Sequence, residues 1–313
     1  MRKIVAHSPA KLNLTLDVVG ELPDGYHQIL TLFQAIDLQD ELMFTLEPAQ
    51  AVEIVIACAN GTTKDFPRDD SNLIVRAARL FLSSMPKASG LKLTVTVTKK
   101  IPVAAGLAGG SGNAAATLLA LNYYFGHLFG LEELHVLASK LGADVPFCLE
   151  GGTCIGHARG DELTVVKHPA RLFFNVIKPR DLSISTAWVY EAFDEFAGTG
   201  DIQRPDLHGA VEGLQQSDLN AATRCFGNVF EPLVFSHYPQ LIELKQHLVN
   251  LGCWCCHLTG SGPALYTVVA DREMAHFVRR KLLDEKFCVS GGSEVDCFIA
   301  ESINHGARLV DEG

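Results

Sequence analysis

Two segments of the chain alternate between hydrophobic and polar residues with a period of two, a pattern that predicts β-strands. The first segment, residues 11–19, places four apolar side chains on one face: Leu12, Leu14, Leu16 and Val18. The second segment alternates three apolar residues with threonines: Leu93, Val95 and Val97 with Thr94, Thr96 and Thr98. Both segments therefore favour strands with one apolar face.

Three other segments have residue patterns typical of helices. Residues 71–82 are amphipathic, with Ser71 in the N-cap position, where its hydroxyl can accept a backbone hydrogen bond. Residues 113–121 are rich in alanine and leucine, which favour helices. Residues 131–141 are amphipathic and stop at Gly142, as helices commonly do. The chain is thus predicted to mix helices and strands.

The 313 residues exceed the usual size of a single hydrophobic core, which predicts two domains. Composition breaks near residues 168–170, and a fresh apolar run begins at residues 172–177. We therefore predict an N-terminal domain at 1–168 and a C-terminal domain at 169–313.

Glycine is concentrated in one loop, residues 102–113, that leads directly into a predicted helix. Glycines at 106, 109, 110 and 112 permit positive φ and close approach of the backbone to a ligand. The start of the helix adds unpaired N–H groups and a partial positive charge. Ser111 adds a hydroxyl that could bond a phosphate oxygen or Mg²⁺. These features predict a phosphate site.

The same segment admits other interpretations. No Asp, Glu, Lys or Arg occurs at residues 101–131, as in a membrane span, but the glycine-dense first half leaves too short an apolar helix. Residues 110–115 fit the dinucleotide-binding pattern GxGxxA, yet Glu132, at the expected distance, opens a helical pattern instead of ending a strand. A Walker A loop is excluded because no GK[ST] follows the glycines. A plain packing turn is the remaining alternative.

Composition narrows the class of protein further. A net charge of −10 argues against nucleic-acid partners, which require basic surfaces. Nine cysteines are an odd number in apolar surroundings, which favours reduced thiols. Residues 253–257 fit the CxxCH pattern of haem attachment, or a metal site, but a buried strand is the simpler interpretation. Without a signal-peptide pattern, we expect a cytoplasmic protein without a membrane partner.

Two charged residues have both catalytic and structural interpretations. Asp144 lies between Gly142 and Pro146, where it is either a general base for a hydroxyl group or an ordinary turn residue. Lys11 lies within an apolar strand, where it is either at an edge or paired with a buried acid.

Two loops allow similar alternatives. Tyr26 and His27 could stack on and bond a flat ligand, or simply cover their turn. The second glycine loop, residues 259–263, could add N–H groups to an anion site or serve as a strand-entry turn.

Taken together, these elements resemble the GHMP small-molecule kinase family. Its three motifs are similar to SPAKLNL, which contains Lys11, to the loop at Pro102–Ala115, and to LTGSGP at residues 258–263. The resemblance implies a two-domain α+β fold, with an N-terminal ribosomal-protein-S5-domain-2-like domain and a C-terminal ferredoxin-like α/β domain. It also implies phosphorylation by ATP with Mg²⁺.

The closest similarity is to the branch that phosphorylates the 2-hydroxyl of a cytidyl diphosphate-linked methylerythritol in the non-mevalonate isoprenoid pathway. Three signatures carry it: SPAKLNL, then DGYH at 24–27 followed by LFQ, and LGADVPF at 141–147. A homoserine or mevalonate type of kinase, or a non-catalytic binding protein of the same fold, is the alternative. We expect a monomer or weak homodimer.

The resemblance assigns roles to particular residues. Asp144 matches the catalytic base and Lys11 the lysine paired with it, while Tyr26, His27 and Tyr190 match the residues around the cytosine. Asn13 and Thr186 match other substrate contacts. The ATP site would comprise Lys99 at the adenine and, around the phosphates, Pro102, Gly106, Leu107, Ala108, Gly109, Gly110, Ser111, Gly112 and Asn113.

Two positions depart from the family pattern. Gly112 stands where the family has a second serine, and Ala108 stands where glycine is common. The ligands of Mg²⁺ are therefore left unassigned.

Overall fold

The computed structural model describes residues 2–59, 66–85, 90–197 and 202–311. Within them the strands are β1 (Arg2–Glu21), β2 (His27–Pro48), β3 (Glu53–Cys58), β4 (Leu91–Thr98), β5 (Thr153–His157), β6 (Glu162–Val165), β7 (Phe173–Pro179), β8 (Gly227–Asn228), β9 (Cys255–Leu258), β10 (Leu265–Val269), β11 (Cys288–Val289), β12 (Ser293–Glu301) and β13 (Arg308–Asp311). The helices are α1 (Leu73–Ser83), α2 (Gly109–Tyr124), α3 (Leu131–Leu141), α4 (Val145–Glu150), α5 (Thr186–Ala197), α6 (Leu207–Gln215), α7 (Leu219–Cys225), α8 (Glu231–His237), α9 (Gln240–Asn250) and α10 (Arg272–Asp284).

The first sheet is built around the long antiparallel pair β1 and β2. Its main order is β13-β1-β2-β4-β3, and β5 pairs with another part of β2 and with β6. Neighbouring strands are antiparallel, except that β3 runs parallel to β4 and β8 parallel to β1. The dinucleotide-binding alternative is therefore wrong, since that fold requires a mostly parallel sheet and Glu132 lies in α3.

The predicted elements are present, with one shift at a helix start. The strands at 11–19 and 93–98 and the helices at 113–121 and 131–141 are confirmed. Helix α1, however, is capped by Asn72, whose Oδ1 accepts a hydrogen bond from the backbone N–H of Ile74 at 2.9 Å. Ser71 is not the cap because its hydroxyl donates to Asp69 instead.

Strand β1 is buried on both faces, although its alternation predicted only one apolar face. Leu12 and Leu14 belong to a core that also contains Phe174 and Tyr266 of the second sheet. The Tyr266 hydroxyl donates to the backbone carbonyl of Leu14 at 2.9 Å. Residues from both sheets thus share one core across β1, and its polar side chains face the opposite side.

The second sheet has the order β11-β12-β7-β10-β9 and is antiparallel. The predicted boundary at residue 168 lies between β6 of the first sheet and β7 of the second. After β12 the chain returns to the first sheet, where β13 pairs with β1. The division at residue 168 stays a prediction.

The CxxCH segment at residues 253–257 runs into strand β9. Cys255 and Cys256 are buried in β9, and the described residues contain no group of three or more His, Cys, Asp or Glu suited to a metal ion. In the described part of the chain, no helix has the length and apolar character needed to cross a membrane.

Glu301, at the end of β12, links the two sheets. Its carboxylate accepts hydrogen bonds from Arg171 and Arg272, and its backbone N–H donates to the Asp37 carboxylate on β2 at 2.8 Å. Burial by itself raises the pKa of Glu301, but the hydrogen bonds and charges of the two arginines outweigh it and leave the pKa below its ordinary value. The carboxylate is therefore stabilised in its ionised form in the folded state.

Because the folded-state pKa of Glu301 is depressed, its contribution to stability is present above the unfolded pKa near 4.5 and is lost as pH falls through the lowered value. We expect Glu301→Gln to lower the free energy of unfolding at pH 7 by about 1 kcal/mol, because water screens the exposed guanidinium groups. Urea unfolding should show that the difference in the free energy of unfolding between wild type and Glu301→Gln becomes smaller as pH falls from 7 to 4. The control is Glu294→Gln, which lies on β12 like Glu301 and removes an exposed ion pair with Arg180, the residue after β7. If Glu301→Gln and Glu294→Gln lower the free energy of unfolding equally, the stabilising role of the Glu301 carboxylate is contradicted.

Candidate functional site

The glycine loop ends at a helix start that no side chain caps. Ala108, the N-cap of α2, makes no side-chain capping hydrogen bond, and the first turn of α2 contains no acidic residue. At this end of α2, the N–H of Gly112 donates a hydrogen bond to the Ala108 carbonyl. The N–H groups of residues 109–111 can therefore face an anion. Ala108 itself has φ +55°, a left-handed conformation that glycine adopts more easily.

Two cavities lie on either side of this loop. One, the loop cavity, has a volume of about 320 Å³ and is lined by Phe66, Pro67, Ser71, Asn72, Leu73, Lys99, residues 102–110 and Asn113. The other, the aromatic cavity, has a volume of about 660 Å³ and its lining includes Lys11, Asn13, Tyr26, His27, Ser111, Asp144, Arg159, Thr186, Tyr190 and Ser261. Gly106 and Ala108 line both cavities, so the loop is their common wall.

A third cavity, of about 640 Å³, lies elsewhere, around Gln34, Thr153 and His168. None of the catalytic, substrate-binding or ATP-binding residues predicted from the sequence lines this third cavity. The chemistry is therefore concentrated in the first two cavities.

The glycine loop is in contact with β1 and with the second glycine loop. The backbone N–H of Lys11 donates to the Leu107 carbonyl at 3.2 Å, and that of Asn13 donates to Thr259 Oγ1 at 3.1 Å. Gly106 has φ +77°, and a Cβ there would lie 2.3 Å from the Thr259 carbonyl oxygen. The backbone approaches this closely only because Gly106 has no side chain.

Lys11 is paired with an acid and does not lie at a strand edge. It is 3% exposed, and its Nζ donates to Asn13 Oδ1 at 2.6 Å and lies 3.9 Å from Asp144 Oδ2. The ammonium also lies 5.5 Å from the centre of the Phe33 ring. The Asp144 side chain makes no capping hydrogen bond to α4, so its carboxylate is directed to Lys11 and the cavity.

An aromatic group forms the far wall of the aromatic cavity. Tyr26 is 59% exposed, and the His27 and Tyr190 rings are 4.8 Å apart. Burial raises the pKa of the Tyr190 phenol, and the charge of Asp144 raises it further, so the hydroxyl stays protonated at neutral pH. These three side chains give the cavity an aromatic surface on which a flat ring could stack.

Helix α5 carries a row of side chains at four-residue spacing, of which Thr186 and Tyr190 line this cavity. Thr186 Oγ1 lies 2.7 Å from Ser261 Oγ, and Tyr190 contacts His27. One turn further, Asp194 Oδ1 lies 2.7 Å from His27 Nε2. The sequence interpretation missed Asp194, although its spacing from Tyr190 places both on one helix face.

Nothing in the sequence pattern indicated that Arg159 would lie at the aromatic cavity. The Arg159 guanidinium lies 5.5 Å from the centre of the Tyr26 ring and is held by Asp161 at 2.6 Å. Only the folding of the β5–β6 connection against the turn at Tyr26 brings it to the cavity.

The remaining residues predicted at the loop differ in their surroundings. Lys99 lines the loop cavity and pairs with the buried Asp40 carboxylate. Asn113 is buried and also lines this cavity. Gly112 lines neither cavity, and a Cβ there would lie 2.3 Å from Ser8 Oγ. A serine at 112 would thus require Ser8 to move.

The chain matches two family models, described as GHMP kinases N terminal domain over residues 72–152 and GHMP kinases C terminal over residues 210–287. A protein from Pelotomaculum thermopropionicum named 4-diphosphocytidyl-2-C-methyl-D-erythritol kinase is 36% identical over 289 residues, covering 92% of this chain and 97% of the relative. A protein of the same name from a Nostoc species is 32% identical, with 100% of both chains covered.

Solved structures are similar over nearly the whole chain. A crystal structure of 4-(cytidine 5'-diphospho)-2C-methyl-D-erythritol kinase has a TM-score of 0.74 and 28% identity, covering 95% of this chain and 99% of the other. Homoserine kinase from Cytophaga hutchinsonii has a TM-score of 0.76 at 20% identity, covering 98% and 97%. The second similarity shows the fold alone.

We expect Gly106→Ala to destabilise the protein more than Gly126→Ala. Both glycines have nearly the same positive φ, +77° and +78°, but a Cβ at Gly126 meets no atom within 4 Å. Gly126→Ala, the control, should therefore lower the free energy of unfolding by about 1 kcal/mol through its backbone conformation alone. Gly106→Ala should lower it by clearly more, because the added Cβ pushes the two glycine loops apart. Urea unfolding measures both, and equal losses would show that the loops do not depend on this contact.

Proposed function

The chain belongs to the GHMP kinase family, and we propose that it transfers the γ-phosphoryl group of ATP to the 2-hydroxyl of 4-diphosphocytidyl-2-C-methyl-D-erythritol. The observation that carries the proposal is the Lys11–Asp144 pair, which lies in a cavity bounded by a phosphate-binding type of loop on one side and by aromatic rings on the other. The names of relatives that match over the full chain supply the substrate.

The pair would act on the acceptor hydroxyl. Asp144 orients this hydroxyl and takes its proton as the oxygen attacks the γ-phosphorus in line. Lys11 holds the carboxylate and offers a positive charge to the attacking oxygen. Both groups lie together in the cavity, so catalysis would depend mainly on positioning and on electrostatic stabilisation.

The glycine loop would hold the phosphates of ATP. The first turn of α2 has no side-chain cap, so the N–H groups at Gly109, Gly110 and Ser111 would bond the phosphate oxygens. The rest of the nucleotide would extend into the loop cavity, toward Phe66 and Leu73. A contact between Lys99 and adenine stays a prediction.

Mg²⁺, when bound with ATP, supplies positive charge that screens the phosphates. The Ser111 hydroxyl suits this cation, which prefers oxygen ligands and retains several waters. Gly112 offers no hydroxyl, and in the described parts of the chain no cluster of carboxylates, histidines or cysteines replaces it. Ser111 together with phosphate oxygens and water would therefore hold the ion.

The aromatic cavity would bind the cytidyl end of the acceptor. Stacking of cytosine between Tyr26 and Tyr190 would contribute about 0.5 to 1.5 kcal/mol for each ring beyond burial of area. His27 would bond the edge of the base, with its ring held by Asp194. Asn13 and Thr186 would contact the remainder of the substrate.

We also place the reaction in the cytoplasm, with the protein acting as a monomer or weak homodimer. No disulfide joins the cysteines in the described residues, which fits a reducing compartment.

Release of ADP in the presence of ATP and Mg²⁺ should be fast with the cytidyl-linked methylerythritol and negligible with mevalonate or homoserine. Mevalonate and homoserine have no aromatic base that could stack in the aromatic cavity, which has a volume of about 660 Å³. A coupled ADP assay on all three acceptors distinguishes the proposed activity from another kinase activity and from a binding protein. A preference for a small alcohol would assign another kinase activity, and ATP binding without turnover would favour a binding protein.

Replacement of the proposed base should separate chemistry from nucleotide binding. We expect Asp144→Asn to lower kcat at least about 100-fold, while the Kd for ATP changes little, because general-base catalysis contributes about 10² to 10⁴ in rate. The matched control is Glu150→Gln at the other end of α4, whose carboxylate faces His135. If Asp144→Asn retains more than about a tenth of kcat, a loss of less than about 1.4 kcal/mol, Asp144 is not the base.

A further inference from the structure

A buried chain of hydrogen bonds connects Lys11 to the backbone of β1. Lys11 Nζ donates to Asn13 Oδ1 at 2.6 Å, and Asn13 Nδ2 donates to Thr31 Oγ1 at 2.8 Å. Thr31 Oγ1 in turn donates to the Thr15 carbonyl at 2.6 Å. Thr31, on β2, is 0% exposed and does not line the aromatic cavity.

The directions of these hydrogen bonds follow from the number of protons available. A threonine hydroxyl has one proton, and Thr31 uses it on the Thr15 carbonyl. Toward Asn13, Thr31 can then only accept, so the amide must turn its NH₂ group to Thr31 and its oxygen to Lys11. The flipped amide would place NH₂ against the ammonium, two donors facing each other.

The local backbone supports this arrangement. Pairing between β1 and β2 is irregular between Asn13 and Thr15, where a β-bulge shifts the register. The main chain of Asn13 is held separately, by its hydrogen bond to Thr259. The Thr31 hydroxyl therefore links the Asn13 side-chain amide to the β1 backbone at Thr15, while the Asn13 main chain has its own partner in Thr259.

We propose that Thr31 is a positioning residue, which fixes the Asn13 amide so that its oxygen holds the Lys11 ammonium beside Asp144. The inference rests on the proposed function for the roles of Lys11 and Asp144. Thr31 itself contacts neither acceptor nor ATP, and it acts through Asn13.

Thr31→Val preserves the shape of the side chain and removes the hydroxyl. We expect kcat to fall about tenfold or more, with the KM for ATP within twofold, and Thr31→Ser to restore most of the activity. The matched control is Thr15→Val, which removes a similarly buried hydroxyl that accepts a hydrogen bond from the Leu32 N–H at 3.0 Å. It should lower the unfolding midpoint as much as Thr31→Val does while leaving kcat within about twofold. Equal kcat losses in these two variants would reduce Thr31 to a structural role.

A double-mutant cycle tests whether Thr31 acts through Asn13. In an Asn13→Ala background, Thr31→Val should change kcat less than twofold further. The same tenfold loss in both backgrounds would overturn the proposal, as would wild-type kcat in Thr31→Val.

A readout independent of turnover separates this inference from the proposed function. In NMR spectra of protein labelled with ¹⁵N at asparagine, the Asn13 side-chain amide should exchange slowly in the wild type and in Thr15→Val, and quickly in Thr31→Val. Slow exchange in Thr31→Val would contradict the inference even if the wild type proved inactive on the cytidyl-linked acceptor. Inactivity of the wild type with the expected exchange pattern would instead contradict only the proposed function.

Discussion

The charge buried at Lys11 is the constraint on which the site depends. An ammonium taken from water costs several kcal/mol unless it is paired and hydrogen-bonded. Asn13 on the same strand and Asp144 at the start of α4 meet this requirement. Lys11 cannot move to water because β1 is covered on both faces, by the shared core on one side and by the site on the other. The interior position of β1 therefore sets where the acid must lie.

Close approach of backbones gives the site its second constraint. Three segments distant in sequence, the glycine loop, the second glycine loop and β1, contact one another through main-chain atoms. Such contacts need positions without side chains, which Gly106 supplies. In the first turn of α2, Gly109 and Gly110 line the loop cavity, and Ser111 lines the aromatic cavity together with Lys11 and Asp144. Under the proposed function, the acidic chain would bind phosphate through this helix start, without a cluster of basic side chains.

The sequence predicted what depends on local patterns and missed what depends on long-range contacts. Alternation and helix-stop residues were sufficient for β4 and α3, but Ser71 and Asn72 can both cap a helix, and the neighbouring Asp69 decided between them. Lys11 could be interpreted two ways until folding brought α4 beside it. The contact of Gly112 with Ser8 and that of Arg159 with Tyr26 depend on packing between distant segments, which no periodicity encodes.

The wall between the two cavities consists of backbone, with nothing larger than a methyl group at Gly106 and Ala108. A single small molecule that reached across this wall would lose its translational and rotational freedom once and gain contacts in both spaces. Such a molecule would also contact main-chain atoms of the wall, and a side-chain substitution does not replace these atoms. An enzyme with such a wall has few ways to exclude a bridging inhibitor without disturbing the loop that holds its own phosphates.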